Sequence, residues 1–244
     1  NYFYKAIRVV NLNKTIEAIK LLNIKGCSVS MPFKEEIIKY LDYLDKDAKI
    51  VGAVNTVINK NNTLKGYNTD IFGAYKALQA ININCKDSIL ILGAGGVARA
   101  IIIALQKQKI SDIFVTNRNL KKAEELSKLF NCKFVSWEKR NNFKSSVLIN
   151  TTPIGMKNHD YSTPIDVKSI KNFDKVMDVV VKKNMTSLIK IAKKMKIPFV
   201  TGLYMTFFQA ANQYKIYTGI DAPLHHMVEA YNKNFNESIV LDNN

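Results

Sequence analysis

Cysteine and histidine are scarce in this 244-residue chain. The three cysteines are isolated, without the paired spacing that is typical of metal sites: Cys27, Cys85 and Cys132. We interpret them as small buried hydrophobic residues of a protein in a reducing cytoplasm. The histidines are too few and too scattered for a convincing metal site: His159, His225 and His226. We therefore expect no metal.

Long hydrophobic runs are also missing. Although 47% of the residues are hydrophobic, no apolar stretch approaches the length of a membrane span. We expect no signal peptide at the start, because Tyr2–Val10 has the pattern of a strand. At this length the chain can hold one large or two medium domains. We expect a cytoplasmic protein without a membrane partner.

Arginine is rare in a chain that is strongly basic. The net charge is +16, yet only four of the 36 basic residues are arginine, at Arg8, Arg99, Arg118 and Arg140. Nucleic-acid readout and bidentate phosphate clamps favour arginine over lysine. The lysines are spread along the chain instead of clustered, whereas a bound polyanion needs a clustered footprint. The pattern favours solvated lysine faces over a nucleic-acid surface, although the charge can attract anionic substrates.

A glycine-rich turn stands at the centre of the sequence. The apolar run Ile89–Leu92 predicts a buried strand, and 97–105 has the character of a helix. Between them the chain reads Gly93, Ala94, Gly95, Gly96, Val97, Ala98. In a strand–turn–helix context these small residues allow a tight turn, close approach of a pyrophosphate, and helix–strand packing. The pattern favours a dinucleotide site, the alternative being an ordinary glycine-rich turn.

Further elements follow from periodicity and turn signals. We predict strands at Tyr2–Val10, 27–31, 53–58, 63–67, 112–116, Val147–Asn150, 176–181 and 199–200, with helices at 15–22, 35–44, 187–196, 203–218 and 223–235. Asn61 and Asn62 indicate a hairpin turn. Thr69 or Asp70 can cap the helix that follows. This order of elements predicts an α/β fold.

The end of the predicted strand at 112–116 bears on the choice of cofactor. An acidic residue at this point holds the ribose 2′-hydroxyl of NAD, whereas a basic residue pairs with the 2′-phosphate of NADP. No Asp or Glu stands here, and Arg118 is the candidate clamp, with Lys122 one turn further on. We therefore predict NADP, the alternative being that Arg118 is an ordinary surface residue.

Two polar residues could supply the chemistry. Lys34 follows the predicted strand at 27–31, and Asp70 stands at the junction with the glycine-turn region. Reduction of a ketone makes an alkoxide that needs a proton, which a lysine held near an aspartate can supply. A lysine at a helix start and an aspartate cap are each ordinary, so the pair on its own is weak evidence.

Several short motifs follow one another along the chain. Residues 28–35 read Ser-Val-Ser-Met-Pro-Phe-Lys-Glu, and Gly-Ala-Val-Asn-Thr at 52–56 and Gly-Tyr-Asn-Thr-Asp at 66–70 follow. The glycine turn, the pair at 117–118, the motifs at 150–156 and the segment 202–209 complete the series. In this order the motifs strongly resemble those of the shikimate dehydrogenases, which reduce 3-dehydroshikimate to shikimate with NADPH and whose first motif is Asn-Val-Thr-Val-Pro-Phe-Lys-Glu. The resemblance implies an enzyme of aromatic amino acid biosynthesis.

The resemblance also implies an architecture. It consists of an α/β substrate domain (1–69 plus 202–244) and a Rossmann-type NADP-binding domain (70–201), with the C-terminal helices returning to the substrate domain. The expected partner is a small molecule, and the expected assembly is a monomer or a homodimer.

Residue roles come from the same resemblance. Lys34 and Asp70 would be the catalytic pair. The substrate would be held by Ser30, Lys34, Asn55, Asp70 and Gln209. Besides the glycine turn, the cofactor would contact Asn117, Arg118, Asn119, Lys122, Thr151, Val179, Gly202 and Met205.

Three departures from the family pattern leave the substrate open. The chain begins at what resembles the family's second strand, so we expect the Ser-x-Ser segment that binds the substrate carboxylate to be absent. This is expected either of a fragment or of a catalytically impaired form. Val181 stands where the family has a substrate-contacting tyrosine. Residues 28–32 and 179–181 resemble the corresponding segments of a shikimate dehydrogenase-like branch, whose members can oxidise shikimate poorly. The alternatives are a quinate/shikimate oxidoreductase and a degenerate nucleotide-binding protein.

Overall fold

A computed structural model describes residues 2–156, 162–235 and 239, so His159 lies outside the described residues. The chain forms two compact units. Unit 1 comprises residues 1–68 and 216–219, and unit 2 comprises residues 69–215 and 220–244. Of the segment 202–244 that we expect in the substrate domain, this division groups residues 216–219 with unit 1. The domain boundaries drawn from the sequence stay a prediction.

Regular elements in the described residues alternate between helices and strands. The helices are α1 (Leu12–Leu21), α2 (Lys46–Val51), α3 (Asp70–Ala80), α4 (Gly96–Lys107), α5 (Leu120–Leu129), α6 (Ser187–Lys194), α7 (Gly202–Thr218) and α8 (Leu224–Asn234). The strands are β1 (Gly26–Ser28), β2 (Tyr43–Leu44), β3 (Thr56–Lys60), β4 (Thr63–Tyr67), β5 (Ile89–Leu92), β6 (Ile113–Thr116), β7 (Lys133–Phe134), β8 (Val147–Asn150), β9 (Lys175–Asp178) and β10 (Phe199–Thr201). Short 3₁₀ helices span Glu36–Tyr40, Trp137–Asn142 and Val167–Asn172.

Unit 1 holds a mixed sheet in the order β1-β3-β4-β2. The central strand β3 is antiparallel to both β1 and β4, and β2 is parallel to β4. The predicted hairpin is confirmed: Asn61 and Asn62 have φ of 53° and 63°, the left-handed pair that a two-residue hairpin turn requires. Helix α1 packs Ile16 and Ile19 into the same apolar core as Val57 of β3.

The predicted strand at Tyr2–Val10 is wrong. Residues 2–9 form no regular structure and pair with no strand in the described part of the chain. Their apolar side chains are exposed, Phe3 to 89% and Ile7 to 73%. An extended segment becomes a strand only when a neighbour takes its backbone hydrogen bonds. The residues here have the composition of a strand, but no strand in the described part of the chain pairs with them.

The predicted helix at 35–44 is also wrong in its extent. A short 3₁₀ helix covers Glu36–Tyr40, and the chain then enters β2 at Tyr43. The amide of Asp42 donates to the carbonyl of Leu64, and that of Asp45 to the carbonyl of Gly66. Sheet pairing with β4 therefore takes the backbone groups that a continuing helix would need, a case of tertiary context overriding propensity.

Unit 2 is organised around a parallel sheet in the order β10-β9-β8-β5-β6-β7, which confirms the predicted α/β class. From β5 the chain winds outward through β6 and β7, then returns to β8 and winds the other way. The order reverses between β5 and β8, the place where such sheets bind ligands at the carboxyl ends of the strands. Each helix in the described part of the chain is too short or too polar to span a bilayer.

Candidate active site

The glycine turn lies at the carboxyl end of β5, in the middle of the unit 2 sheet. Gly93 has φ +112°, and a Cβ at this position would collide with Oγ1 of Thr151. The Thr151 hydroxyl donates to the carbonyl of Leu92 at 2.7 Å. Gly93 is therefore required twice, for its left-handed backbone and for the close approach of the loop after β8.

Gly95 stands on the open side of this turn. It precedes α4 with an extended backbone, and a Cβ there would meet no atom within 4 Å. The first amides of α4, which begins at Gly96, point out of the helix end. Together with the helix dipole they form a cradle that suits a pyrophosphate. Ala98, one turn on, is fully buried, as close packing of α4 on the sheet requires.

The second strand of the sheet, β6, ends in polar and basic residues. Asn119 caps α5 by accepting from the Lys122 amide at 3.1 Å, and Asn117 Nδ2 donates to the Asn119 carbonyl at 3.1 Å. Arg118 is exposed between them, and Lys122 is exposed in the first turn of α5. A rigid, capped turn thus presents a guanidinium and an ammonium where a ribose phosphate is expected.

A buried carboxylate network joins the ends of β8 and β9. Asp178 accepts from Thr186 Oγ1 at 2.6 Å, from Asn150 Nδ2 at 2.9 Å and from the Val180 amide at 3.1 Å. Thr186 also caps α6. The network holds the loops after β8 and β9, which carry Thr151 and Val179.

Burial raises the pKa of Asp178 to about 6, against the lowering effect of the hydrogen bonds from Thr186, Val180 and Asn150 and of the nearby Lys182 charge. Sequence reasoning gave Asp178 no role. Its only signal is a polar residue that ends an apolar strand in a parallel sheet, which does not reveal what the carboxylate contacts.

The loop after β9 meets the start of α7 closely. A Cβ on Gly202 would collide with the carbonyl of Val179. Met205, one turn into α7, is buried. The structure thus places Gly202 against Val179, with Met205 one turn further along the same helix. The family resemblance assigns all three residues to the nicotinamide. Their contact with a cofactor stays a prediction.

Asp70 and Gln209 come together through Thr69. Asp70 is the first residue of α3 and is 7% exposed. The Thr69 hydroxyl donates to Gln209 Oε1 at 3.2 Å. The side chain of Thr69 occupies the cap position without bonding to the helix amides. A Cβ on Gly73 would lie 3.0 Å from the Cβ of Gln209, so this glycine permits the close contact of α3 with α7.

In unit 1 the loop that carries Lys34 lies against the chain around Asn55. The Val54 amide donates to the Lys34 carbonyl at 2.7 Å, and the Val29 amide donates to the Asn55 carbonyl at 2.8 Å. Ser30 is exposed, Lys34 is half-buried, and Asn55 is 2% exposed. Two backbone bonds therefore place three residues of the predicted substrate site next to one another.

The two predicted catalytic residues fall in different units, Lys34 in unit 1 and Asp70 in unit 2. Their pairing stays a prediction. In residues 2–156, 162–235 and 239 no three His, Cys, Asp or Glu side chains cluster as metal ligands would.

The sequence was compared with known protein families, and two family descriptions match it. The family described as "Shikimate dehydrogenase substrate binding domain" matches residues 1–57, and that described as "Shikimate / quinate 5-dehydrogenase" matches residues 76–150. The shikimate dehydrogenase (NADP(+)) of Aquifex aeolicus is 39% identical over 223 residues, which cover 91% of this chain and 81% of that protein.

Solved structures are similar over the same extent. Shikimate 5-dehydrogenase from Thermus thermophilus, in complex with NADP(H) and shikimate, has a TM-score of 0.82 at 29% identity, covering 93% of this chain and 86% of that one. Quinate dehydrogenase from Corynebacterium glutamicum, in complex with NAD, has a TM-score of 0.84 at 26% identity, covering 91% and 83%. The likeness therefore spans both units.

Proposed function

This chain belongs to the shikimate dehydrogenase family, and we propose that it interconverts 3-dehydroshikimate and shikimate with NADP. One observation carries the proposal: family similarity covers a substrate-binding region, residues 1–57, as well as residues 76–150. A chain that kept only the nucleotide fold would match over the second region alone.

The choice of NADP rests on the turn after β6. When bound, NADPH supplies the hydride that reduces the ketone. The open cradle at Gly95 suits its pyrophosphate. Arg118 and Lys122 suit its 2′-phosphate, and residues 117–122 contain no carboxylate that would repel it. Asn117, Asn119 and Thr151 shape the rest of this binding surface.

Lys34 is the proposed proton carrier. Its ammonium gives a proton to the carbonyl oxygen that is being reduced, and the amine takes the proton back from the hydroxyl in the reverse direction. Asp70 is the proposed partner that orients the same hydroxyl. Ser30, Asn55 and Gln209 hold the ring hydroxyls through their own hydroxyl and amide groups.

The remaining assignments complete the proposal. Val179, Gly202 and Met205 would form the apolar wall beside the nicotinamide, and segments 1–69 plus 202–244 would form the substrate domain. We place the reaction in the cytoplasm, because Cys27, Cys85 and Cys132 are free thiols. The assembly would be a monomer or a homodimer of the chain, which light scattering can decide.

Quinate is the second candidate substrate. The similarity to a quinate dehydrogenase and the presence of Val181, where the family pattern has a tyrosine, both favour it. Quinate carries one more hydroxyl group than shikimate at the ring carbon that bears the carboxylate. A pocket that lacks the tyrosine has more room for that group.

Steady-state NADP reduction by the purified protein, with shikimate and with quinate in parallel, tests the proposal. We expect a higher kcat/KM with shikimate. A higher value with quinate would transfer the assignment to the second candidate. NADP binding without turnover of either compound would identify a nucleotide-binding protein and overturn the assignment of enzymatic activity.

A further inference from the structure

A chain of hydroxyl groups runs through unit 1 and ends on Asn55. The Tyr4 phenol donates to Ser28 Oγ at 2.9 Å, and Ser28 Oγ lies 3.1 Å from the Tyr217 phenol. The Tyr217 phenol also lies within hydrogen-bonding reach of the Thr56 hydroxyl. Thr56 Oγ1 in turn donates to Asn55 Oδ1 at 2.8 Å. We call this series of five residues the hydroxyl relay.

The acceptor at its end gives the hydroxyl relay a direction. An amide oxygen only accepts, and each hydroxyl has one proton. Because Thr56 gives its proton to Asn55, Tyr217 must donate to Thr56. Ser28 then donates to Tyr217 and accepts from Tyr4. One arrangement of protons satisfies all four contacts, and aligned hydroxyls of this kind polarise and strengthen one another.

Tyr217 is held firmly in this position. A Cβ on Gly26 would lie 2.9 Å from Cδ1 and Cε1 of the tyrosine ring and 2.7 Å from the Val57 carbonyl. The ring therefore lies directly over β1, where only glycine leaves room. Burial raises the pKa of the Tyr217 phenol above its ordinary value, so the phenol keeps its proton at physiological pH and remains a donor.

The hydroxyl relay determines the orientation of the Asn55 carboxamide, that is, whether its oxygen or its nitrogen faces Thr56. Thr56 is fully buried and Asn55 nearly so. Backbone bonds of Asn55 to Val29 and Tyr67 fix its main chain on two sides. With Oδ1 held by Thr56, the amide nitrogen is the end turned away from Thr56. A donor so oriented suits a hydroxyl or carbonyl oxygen of a polyol substrate.

We propose that Tyr217 is a positioning residue that acts through Thr56 to hold the Asn55 carboxamide as a donor to the substrate. This rests on the proposed function, in which Asn55 binds a ring hydroxyl. Tyr217 comes from the C-terminal end of α7, far in sequence from residues 55 and 56, and no motif marks it.

Tyr217→Phe tests the proposal, because it removes the hydroxyl and keeps the ring over Gly26. We expect KM for shikimate to rise about three- to tenfold, the loss of one well-placed hydrogen bond. The kcat and the KM for NADP should change less than twofold. Thr56→Val, which removes the next hydroxyl, should reproduce this split. Tyr231→Phe is the matched control, a part-buried tyrosine of the unit 2 aromatic cluster, and should change neither constant.

Two further measurements identify Asn55 as the target. In an Asn55→Ala background, adding Tyr217→Phe should change KM less than twofold, because the group it positions is gone. An undiminished effect there, or an unchanged KM for Tyr217→Phe in the native background, would overturn the hydroxyl relay.

The side-chain amide signals of Asn55 in a ¹⁵N-labelled sample provide a readout without substrate. They should shift in Tyr217→Phe and stay in place in Tyr231→Phe. Unshifted signals refute the hydroxyl relay even if the wild type is active. Shifted signals support it even if neither shikimate nor quinate is turned over, so this outcome is separate from failure of the proposed function.

Discussion

The two units place their polar side chains differently, and their sheets explain why. In unit 2 every residue of β5 and β8 is buried, as in parallel sheets that are covered on both faces. In unit 1, β4 alternates, with Thr63 and Lys65 exposed and Leu64 and Gly66 buried. A strand buried on both faces can carry functional groups only at its ends, whereas an alternating strand can carry them along its length.

The candidate site follows this difference. The proposed cofactor groups of unit 2 stand after strand ends, at Gly95 and Arg118. The proposed substrate groups of unit 1 lie on a loop and beside a strand, at Lys34 and Asn55. Changes at Lys34 or Asn55 should therefore alter the chemistry without altering cofactor binding, and changes at Gly95 or Arg118 should do the reverse. Three experiments test this difference between the units.

Lys34→Ala carries the largest expected effect. Loss of the proton carrier should lower kcat by about 10²- to 10⁴-fold, because the alkoxide then depends on water. The dissociation constant for NADP, measured by fluorescence titration, should stay within twofold. Lys39→Ala, which removes an exposed lysine bound to Glu36 at 3.4 Å, is the control and should retain full activity. An equal loss of kcat in both variants would show that Lys34 has no specific role in proton transfer.

Asp178→Asn tests the buried network of unit 2 through the pH dependence of stability. The pKa of Asp178 rises from 3.8 to about 6 on folding, so the folded protein holds the proton more tightly than the unfolded chain. Its stabilising contribution is complete below about pH 4 and is lost as the pH rises to about 6. A pKa shift of about two units corresponds to about 3 kcal/mol in the free energy of unfolding.

Urea unfolding at several pH values measures this contribution. The free energy of unfolding of the wild type, relative to Asp178→Asn, should fall across this window, and the variant should lack that slope. Because the wild type and the variant share all other carboxylates, the contributions of those groups to the pH dependence cancel in the difference. Parallel curves would show that Asp178 titrates at its ordinary value.

Arg118→Ala tests the cofactor end of unit 2. Removing a charge-assisted phosphate contact should raise KM for NADP about ten- to a hundredfold, and should leave KM for NAD and for shikimate nearly unchanged. Lys128→Ala, at the far end of α5 where the side chain is also exposed, is the control. An equal loss for NADP and NAD would refute the clamp.

Unit 2 was largely predictable from sequence because its signals are local. The strands at Ile89–Leu92 and Val147–Asn150 were predicted at the observed bounds, since a continuous apolar run between turn residues admits few other interpretations. The glycine turn and the cofactor preference follow from a few adjacent residues. The contacts of Asp178 were missed, because its partners Asn150 and Thr186 lie 28 and 8 residues away.

Unit 1 was predicted less well because its elements depend on their neighbours. The hairpin through Asn61 and Asn62 was correct, since two left-handed residues are a local requirement. Tyr2–Val10 has strand composition but no pairing partner among the described residues. At Tyr43 the short β2 replaces the end of a predicted helix because β4 competes for its backbone groups.

The sequence alone determined the class of fold, the glycine turn, the preference for NADP and the family, because each is encoded in short runs or in motifs whose order survives without coordinates. Which side chains meet is visible only in the folded chain. The Asp178 network and the hydroxyl relay from Tyr4 to Asn55 bring together residues up to 213 positions apart. Hydrogen bonds are short and directional, and only the folded chain brings such distant atoms within their range.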